Sequence, residues 1–466
     1  MSFSKLSTEL DTKILEYLHD DRSSLSAMSM VSKYFRRITE PILYRDLCFP
    51  QMTTNQMKKL LTIVLSRPQL AKHVRSLTMV PERESSFNGT DCTPSEEDME
   101  AWNRLHEANH PALLTLSEKL ETFSLSPQFV QDWFSPIFNC TFLDDRPSLL
   151  DPFLAVFLIL ATNIETINLT ATAGEVLRRS RAIFSVAWSR YPVDDTQQEQ
   201  KPFKKLSDLC IANEGVRIKG FERIFRVWIP SCAKRLRLSG WEIYAIDLWD
   251  ETVLPLQHLD LRNATVSPAD LTRCLETGQL ANLRHLNLDG IQGRFDPAFG
   301  RQFDGIMLGR TLALHTPSLE VLEMRTTEHS VIDHSFDIEG LVGLTKLHTL
   351  RIDIEYLVLR GGSGNHDPIH PHRILPASLW HLEFTQVPVQ NINAYCLYGE
   401  NGLWPPYVTQ FIIDTVQTFS SLESFDVYLT KSLDDEDLSE AGSHLLDNLV
   451  ARGRASKVEV QVHGPA

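Results

Sequence analysis

The distribution of apolar residues predicts an α/β fold in two parts: a short helical N-terminus over residues 1–50, then a long βα array with parallel strands over residues 51–466. Three observations carry this. Apolar residues in the first fifty positions recur at intervals of three and four, the helical period. Beyond them, the pattern apolar-x-x-apolar-x-apolar recurs along the chain. Between several of these matches lie stretches with helical spacing, which makes a βα alternation and parallel strands.

In the first part, Leu10, Ile14 and Leu18 form a stripe with Leu15 beside it. Asp20-Asp21-Arg22-Ser23-Ser24 breaks this helix, and Ser23 or Ser24 is positioned to cap the next. Leu25, Met28, Val31, Phe35 and Ile38 then continue the period, and Pro41 suits the first position of a third short helix carrying Leu43, Tyr44 and Leu47. Three short helices bury little by themselves, so such a unit needs a partner surface or the domain behind it.

The second part carries the six-residue pattern at Val74, Leu120, Ile164, Leu206, Ala233, Leu256, Leu283, Leu319, Leu347, Leu379 and Leu422, with a terminal strand at Val458–Val462. Successive starts are 23 to 46 residues apart, with 27, 23 and 27 in the centre. The pattern follows from stacking: each strand turns its Leu residues inward and buries them only against neighbouring repeats, while the x residues face the concave side of a curved parallel sheet. All these strands are expected to lie adjacent in chain order in one sheet. Helices are expected at Thr54–Ser66, at the apolar run 153–161 with Asp151 as its cap and Pro152 in its first turn, and at Pro268–Leu275. Pro81–Pro111 (acidic), Tyr191–Lys205, Arg360–Pro376 and Lys431–Glu440 read as loops.

Composition narrows the function classes. Hydrophobic content of 42% and charged content of 23% are those of a folded protein, and a net charge of −15 argues against a broad nucleic-acid surface while leaving room for a local basic patch. Seven dispersed cysteines with no Cys-x-x-Cys pair read as reduced thiols of cytoplasm or nucleus. The N-terminus carries no secretory apolar region, and the longest apolar run, 153–161, is too short to span a bilayer, so no membrane partner is expected. No nucleophile elbow or phosphate-cradling loop occurs, and the chain reads as a non-enzyme without cofactor. His366, His370 and His372 fall within seven residues, but Pro368, Pro371 and a preceding Gly-Gly-Ser-Gly make a loop a better reading than a metal site.

Leu6-Ser-Thr-Glu9-Leu10…Ile14-Leu15…Leu18, followed by Val31-Ser32-Lys33…Phe35-Arg36 and Pro41-Ile42-Leu43-Tyr44-Arg45, resembles an F-box. Ser7 stands where that family usually has proline. The repeats resemble the irregular leucine-rich repeats of fungal-type F-box receptors, although no Asn follows the strands regularly. The resemblance implies a substrate-recognition subunit of a Skp–cullin–F-box type ubiquitin ligase. A Skp-type adaptor would pack on Leu6, Leu10, Ile14, Leu15, Leu25, Val31, Phe35, Leu43 and Tyr44, some of which must instead hold the three helices together. The repeat array taken alone leaves open a non-enzymatic scaffold without a ligase role. For the client protein, the x positions place His285, Asn287, His348, Arg351, Trp380, His381 and Glu383 on the concave side, with a basic centre and acidic flanks.

Overall fold

The computed structural model describes residues 7–81, 96–105, 150–171, 203–213, 225–228, 232–240, 242–247, 253–266, 268–289, 305–325, 338–354, 357, 370–389, 407–430 and 438–464. They fall into two compact units, Met1–Phe221 with Pro230–Ala233, and Glu222–Ile229 with Lys234–Ala466.

The first unit opens with α1 (Thr8–Glu16), α2 (Arg22–Val31) and α3 (Lys33–Leu43). Each start is set by a side-chain cap. Ser7 caps α1, accepting from the Leu10 N–H at 3.4 Å, a role that proline, with no side-chain acceptor, could not fill. Asp21, rather than Ser23 or Ser24, caps α2; its carboxylate accepts from the Ser24 N–H and from both serine hydroxyls, a stronger acceptor than either hydroxyl. Ser32 adopts an extended backbone and accepts from the Phe35 N–H, so the apolar run from Leu25 to Ile38 is divided between two helices. Since α3 starts at Ser32, Pro41 lies inside its last turn and no separate helix begins there.

β1 (Asp46–Met52) follows directly, so a boundary at residue 50 falls inside a strand; its Tyr44-Arg45-Asp46-Leu47-Cys48-Phe49 fits the six-residue pattern, which the expectation began only at Val74. Then come α4 (Thr54–Ser66), closed at its N-terminus by a Thr53/Gln56 capping box, and β2 (Ser76–Pro81). The acidic stretch read as loop contains a helix, α5 (Glu96–Leu105). α6 (Leu150–Leu160) starts one residue before Asp151, which therefore lies in the first turn. β3 (Thr166–Ala171) and β4 (Asp208–Asn213) complete the unit. Strands β1 to β4 are parallel and neighbours in chain order, with Leu47, Leu77, Ile167 and Leu209 in one row.

The second unit contains β5 (Phe225–Trp228), β6 (Arg235–Ser239), β7 (Glu242–Asp247), β8 (His258–Arg262), β9 (Thr265–Val266), α7 (Pro268–Glu276), β10 (His285–Asn287), α8 (Gly305–His315), β11 (Val321–Met324), α9 (Ile338–Val342), β12 (Thr349–Asp353), β13 (His381–Pro388), α10 (Tyr407–Thr418), β14 (Ser424–Thr430), α11 (Glu440–Ser456) and β15 (Glu459–His463). Its main sheet is parallel, in the order β6-β8-β10-β11-β12-β13-β14-β15. β5, β7 and β9 instead form a separate three-stranded parallel sheet, which the expectation of a single sheet did not contain. The expected strand at Leu120 lies outside the described residues.

The pleat explains the core. Leu236, Leu259, Leu286, Leu322, Leu350, Leu382, Phe425 and Val460 make one cross-strand row, all buried, and the next-but-one positions add Leu238, Leu261, Met324, Ile352, Phe384 and Val427. Helices approach one another closely where side chains vanish: a Cβ on Gly340 of α9 would meet the Gly309 backbone carbon of α8. No helix among the described residues is long and apolar enough to cross a membrane.

Candidate protein-binding surfaces

The three N-terminal helices have a small core of Leu15, Leu25, Ile38 and Ile42, against which Leu18, Met28, Tyr34, Phe35 and Leu43 are partly buried. The Tyr34 hydroxyl donates to the Asp11 carboxylate at 2.6 Å and ties α3 to α1; that bond raises the Tyr34 pKa. The geometry sorts the residues that periodicity could not. Leu15 and Leu25 are interior, and Phe35 and Leu43 pack against that interior. Tyr44 is half-buried at the end of α3, and burial pushes its phenol up. Leu6 lies outside the described residues.

What remains outward is apolar. Leu10 is 49% exposed, Ile14 53%, Tyr17 88%, Met30 74% and Val31 66%. Leu10, Ile14 and Tyr17 follow one face of α1 and its end at spacings of four and three, while Met30 and Val31 close α2. Tyr17 and Met30 were not among the residues expected to meet a partner. Scattered exposed apolar residues are ordinary, but five large ones on a 45-residue helical unit concentrate a cost that a partner surface removes.

The second surface is the polar face of the main sheet in the second unit. One cross-strand row reads Arg237, Asp260, Asn287, Glu323, Arg351, Glu383, Asp426 and Gln461. Its charges are matched internally. Arg237 Nε and Arg262 Nε both reach Asp260 at 3.1 Å, yet burial raises the Asp260 pKa against the pull of both guanidinium groups. Asn287 donates to Glu323 at 3.0 Å, Arg351 reaches Glu323 at 2.8 Å and Glu383 at 3.0 Å, and Arg325 reaches Glu383 at 2.7 Å. The centre of the stripe is therefore a neutralised network, not the basic patch that composition of the x positions implied.

The neighbouring row reads Arg235, His258, His285, Val321, Thr349, His381, Ser424 and Glu459. The rings of His258 and His285 stack at 4.2 Å, and burial lowers the His285 pKa. His381 approaches Ser424 Oγ at 2.5 Å and Asp426 at 3.8 Å. Thr349, not His348, shares this row with His381, so His348 stands one residue out of the expected stripe. His348 instead stacks on Trp380 at 5.5 Å, and Trp380 is 56% exposed. Another stacked pair, Tyr428 with His463 at 4.1 Å, lies beyond the positions of the six-residue pattern.

Two of the described cysteines, Cys232 and Cys274, are held in packed surroundings. Cys232 Sγ donates to the Phe203 and Leu206 carbonyls, and burial pushes Cys274 up to about 12. No protein-family model matches the chain, and no curated protein matches it.

Proposed function

We propose that the chain is the substrate-recognition subunit of a Skp–cullin–F-box type ubiquitin ligase. Residues 1–50 form an F-box that docks a Skp-type adaptor, and residues 51–466 form an irregular leucine-rich-repeat solenoid that holds a protein client. In this reading the chain performs no chemistry. It raises the effective concentration of client lysines near a conjugating enzyme brought by other subunits.

The observation that carries the reading is the exposure of five large apolar residues, Leu10, Ile14 and Tyr17 on α1 and its end and Met30 and Val31 at the end of α2, on a three-helix unit with the motif residues of an F-box. An adaptor that covers these residues recovers the transfer free energy of their side chains, ~25 cal/mol per Å² of apolar surface. The client side is carried by Trp380, whose exposed ring is the kind of anchor found at the centre of interfaces.

The test is co-purification with a Skp-type adaptor. The wild-type chain should bind, and Ile14→Asp with Val31→Asp should weaken binding at least ~30-fold, or about 2 kcal/mol, with unfolding temperature unchanged. Unaltered binding by the double variant overturns the docking assignment. Cullin association and a ubiquitinated client then separate a ligase receptor from a scaffold.

A further inference from the structure

A cleft of about 290 Å³ in the first unit is lined by Lys33, Arg36, Arg37, Glu40, Pro41, Gln69, Leu70 and His73. Three cations converge there on successive turns of α3. Among the described residues none of the three is in an ion pair. Arg36 donates only weakly, to the Ser29 carbonyl at 3.4 Å and toward Met30 Sδ at 4.0 Å, and Arg37 lies 5.9 Å over the Tyr34 ring. Glu40, the one carboxylate in the lining, is already bound by Arg67, outside the cleft. Burial lowers the pKa of the His73 imidazole that lines the same cleft.

This placement of charge is unfavourable to the empty protein. Lys33 and Arg37 are four apart and Lys33 and Arg36 three apart on one helix, where like charges repel. All three also sit at the N-terminal half of α3, the end whose macrodipole favours anions, and its first turn carries no acid. A bound anion offsets both terms at once. Arginine forks match phosphoryl oxygens two at a time, and a concave site suits a compact, multiply charged group better than an extended strand of carboxylates. We infer that this cleft binds a phosphoryl group, supplied by a small soluble phosphate ester or by a phosphorylated lipid headgroup. The inference stands apart from adaptor docking and is tested on the chain alone.

The probe is inorganic pyrophosphate, titrated into the full chain at constant ionic strength while the unfolding temperature is followed. A saturable rise is expected, because a ligand of the native state stabilises it. Lys33→Gln with Arg36→Gln should weaken the apparent affinity at least ~10-fold, having lost two charged donors. The same variant without anion should unfold at the same temperature as the wild type or higher, since the repulsion is relieved. A second arm uses sedimentation with phosphatidylcholine vesicles, with and without a phosphorylated phosphatidylinositol. Capture only by the phosphorylated vesicles, lost in the variant, identifies a headgroup as the source; a pyrophosphate response without capture identifies a soluble ester. A linear, non-saturating response to pyrophosphate together with no capture overturns the site. So does an unaltered response in the variant, or a variant less stable than wild type in the absence of anion.

Discussion

The N-terminal helices and the polar strand face of the second unit expose opposite kinds of surface. On the helices, large apolar side chains are exposed to water among the described residues, while Asp21 caps α2 and Asp11 ties α1 to α3. On the strands, the polar row is charged and half-buried to buried, and its central charges are paired across one or two strands. The first surface is driven to bind by desolvation, which is strong and undemanding about geometry. The second gains little from a new charge unless the charge also replaces an existing pair, so it favours discrimination over raw affinity. In the proposed function, the first surface is the one assigned to the adaptor and the second the one assigned to the client.

The comparison breaks most visibly at the interior of the helical unit. Leu25 is fully buried beside Leu15, Ile38 and Ile42, whereas Val31 on the same helix is two-thirds exposed. Leu25→Ala should cost about 2–5 kcal/mol by leaving a cavity, measured by chemical unfolding. If Leu25→Ala and Val31→Ala cost the same, the division between core and exposed residues is wrong.

On the strand face the central prediction concerns Glu383. Its carboxylate holds both Arg325 and Arg351 and is nearly buried. Glu383→Ala should destabilise by about 1–3 kcal/mol, because two guanidinium groups lose a charged acceptor, although Arg351 keeps Glu323. A cost within ~0.5 kcal/mol would show that the network is solvated and free to be rearranged by a client. Trp380 sharpens the contrast from the other side. Its exposed ring touches His348, so Trp380→Ala should change stability by no more than ~0.5 kcal/mol while weakening client binding by ~30-fold or more, measured with a client found by proximity labelling.

The strands were legible because the six-residue pattern is a packing requirement. Each buried Leu of one strand needs its equivalent on the next, as Leu286, Leu322 and Leu350 show. β1 carries the pattern at Tyr44, Leu47 and Phe49, but Tyr44 and Leu47 also continue the helical period of the N-terminus and so read as helix, and the small sheet of β5, β7 and β9 escaped because its strands lack the leucine frame. The exposed apolar set was only half legible. Both Leu10 and Leu15 satisfy the helical period, and which of them is covered depends on how α3 docks, a tertiary fact held in part by Tyr34 and Asp11. Register was the finest detail lost. His348 precedes the strand by one residue, and a shift of one exchanges neighbours along the whole row. The charge of the stripe was misjudged for a related reason: composition counts Arg351 as basic, and only the cross-strand pairs reveal that it is spent on Glu323 and Glu383.

The smallest expected effect lies at the start of α2 and is read from pH dependence. Asp21 accepts from the Ser24 hydroxyl, the Ser24 N–H and the Ser23 hydroxyl, and these bonds, that from the Ser24 side chain first, lower its pKa from 3.8 to about 2. A carboxyl depressed on folding contributes stability that is fully present above its unfolded value and is lost as pH falls through the folded one. The contribution of Asp21 should therefore hold above pH 4 and disappear between about pH 4 and 2. Asp21→Asn keeps a good capping oxygen but cannot titrate. Its unfolding temperature should lie close to that of the wild type at pH 7, and it should fall less steeply than the wild type below pH 4. An identical acid limb in the two proteins would mean that the Asp21 cap is not formed in solution, and that the helix bearing Met30 and Val31 begins elsewhere.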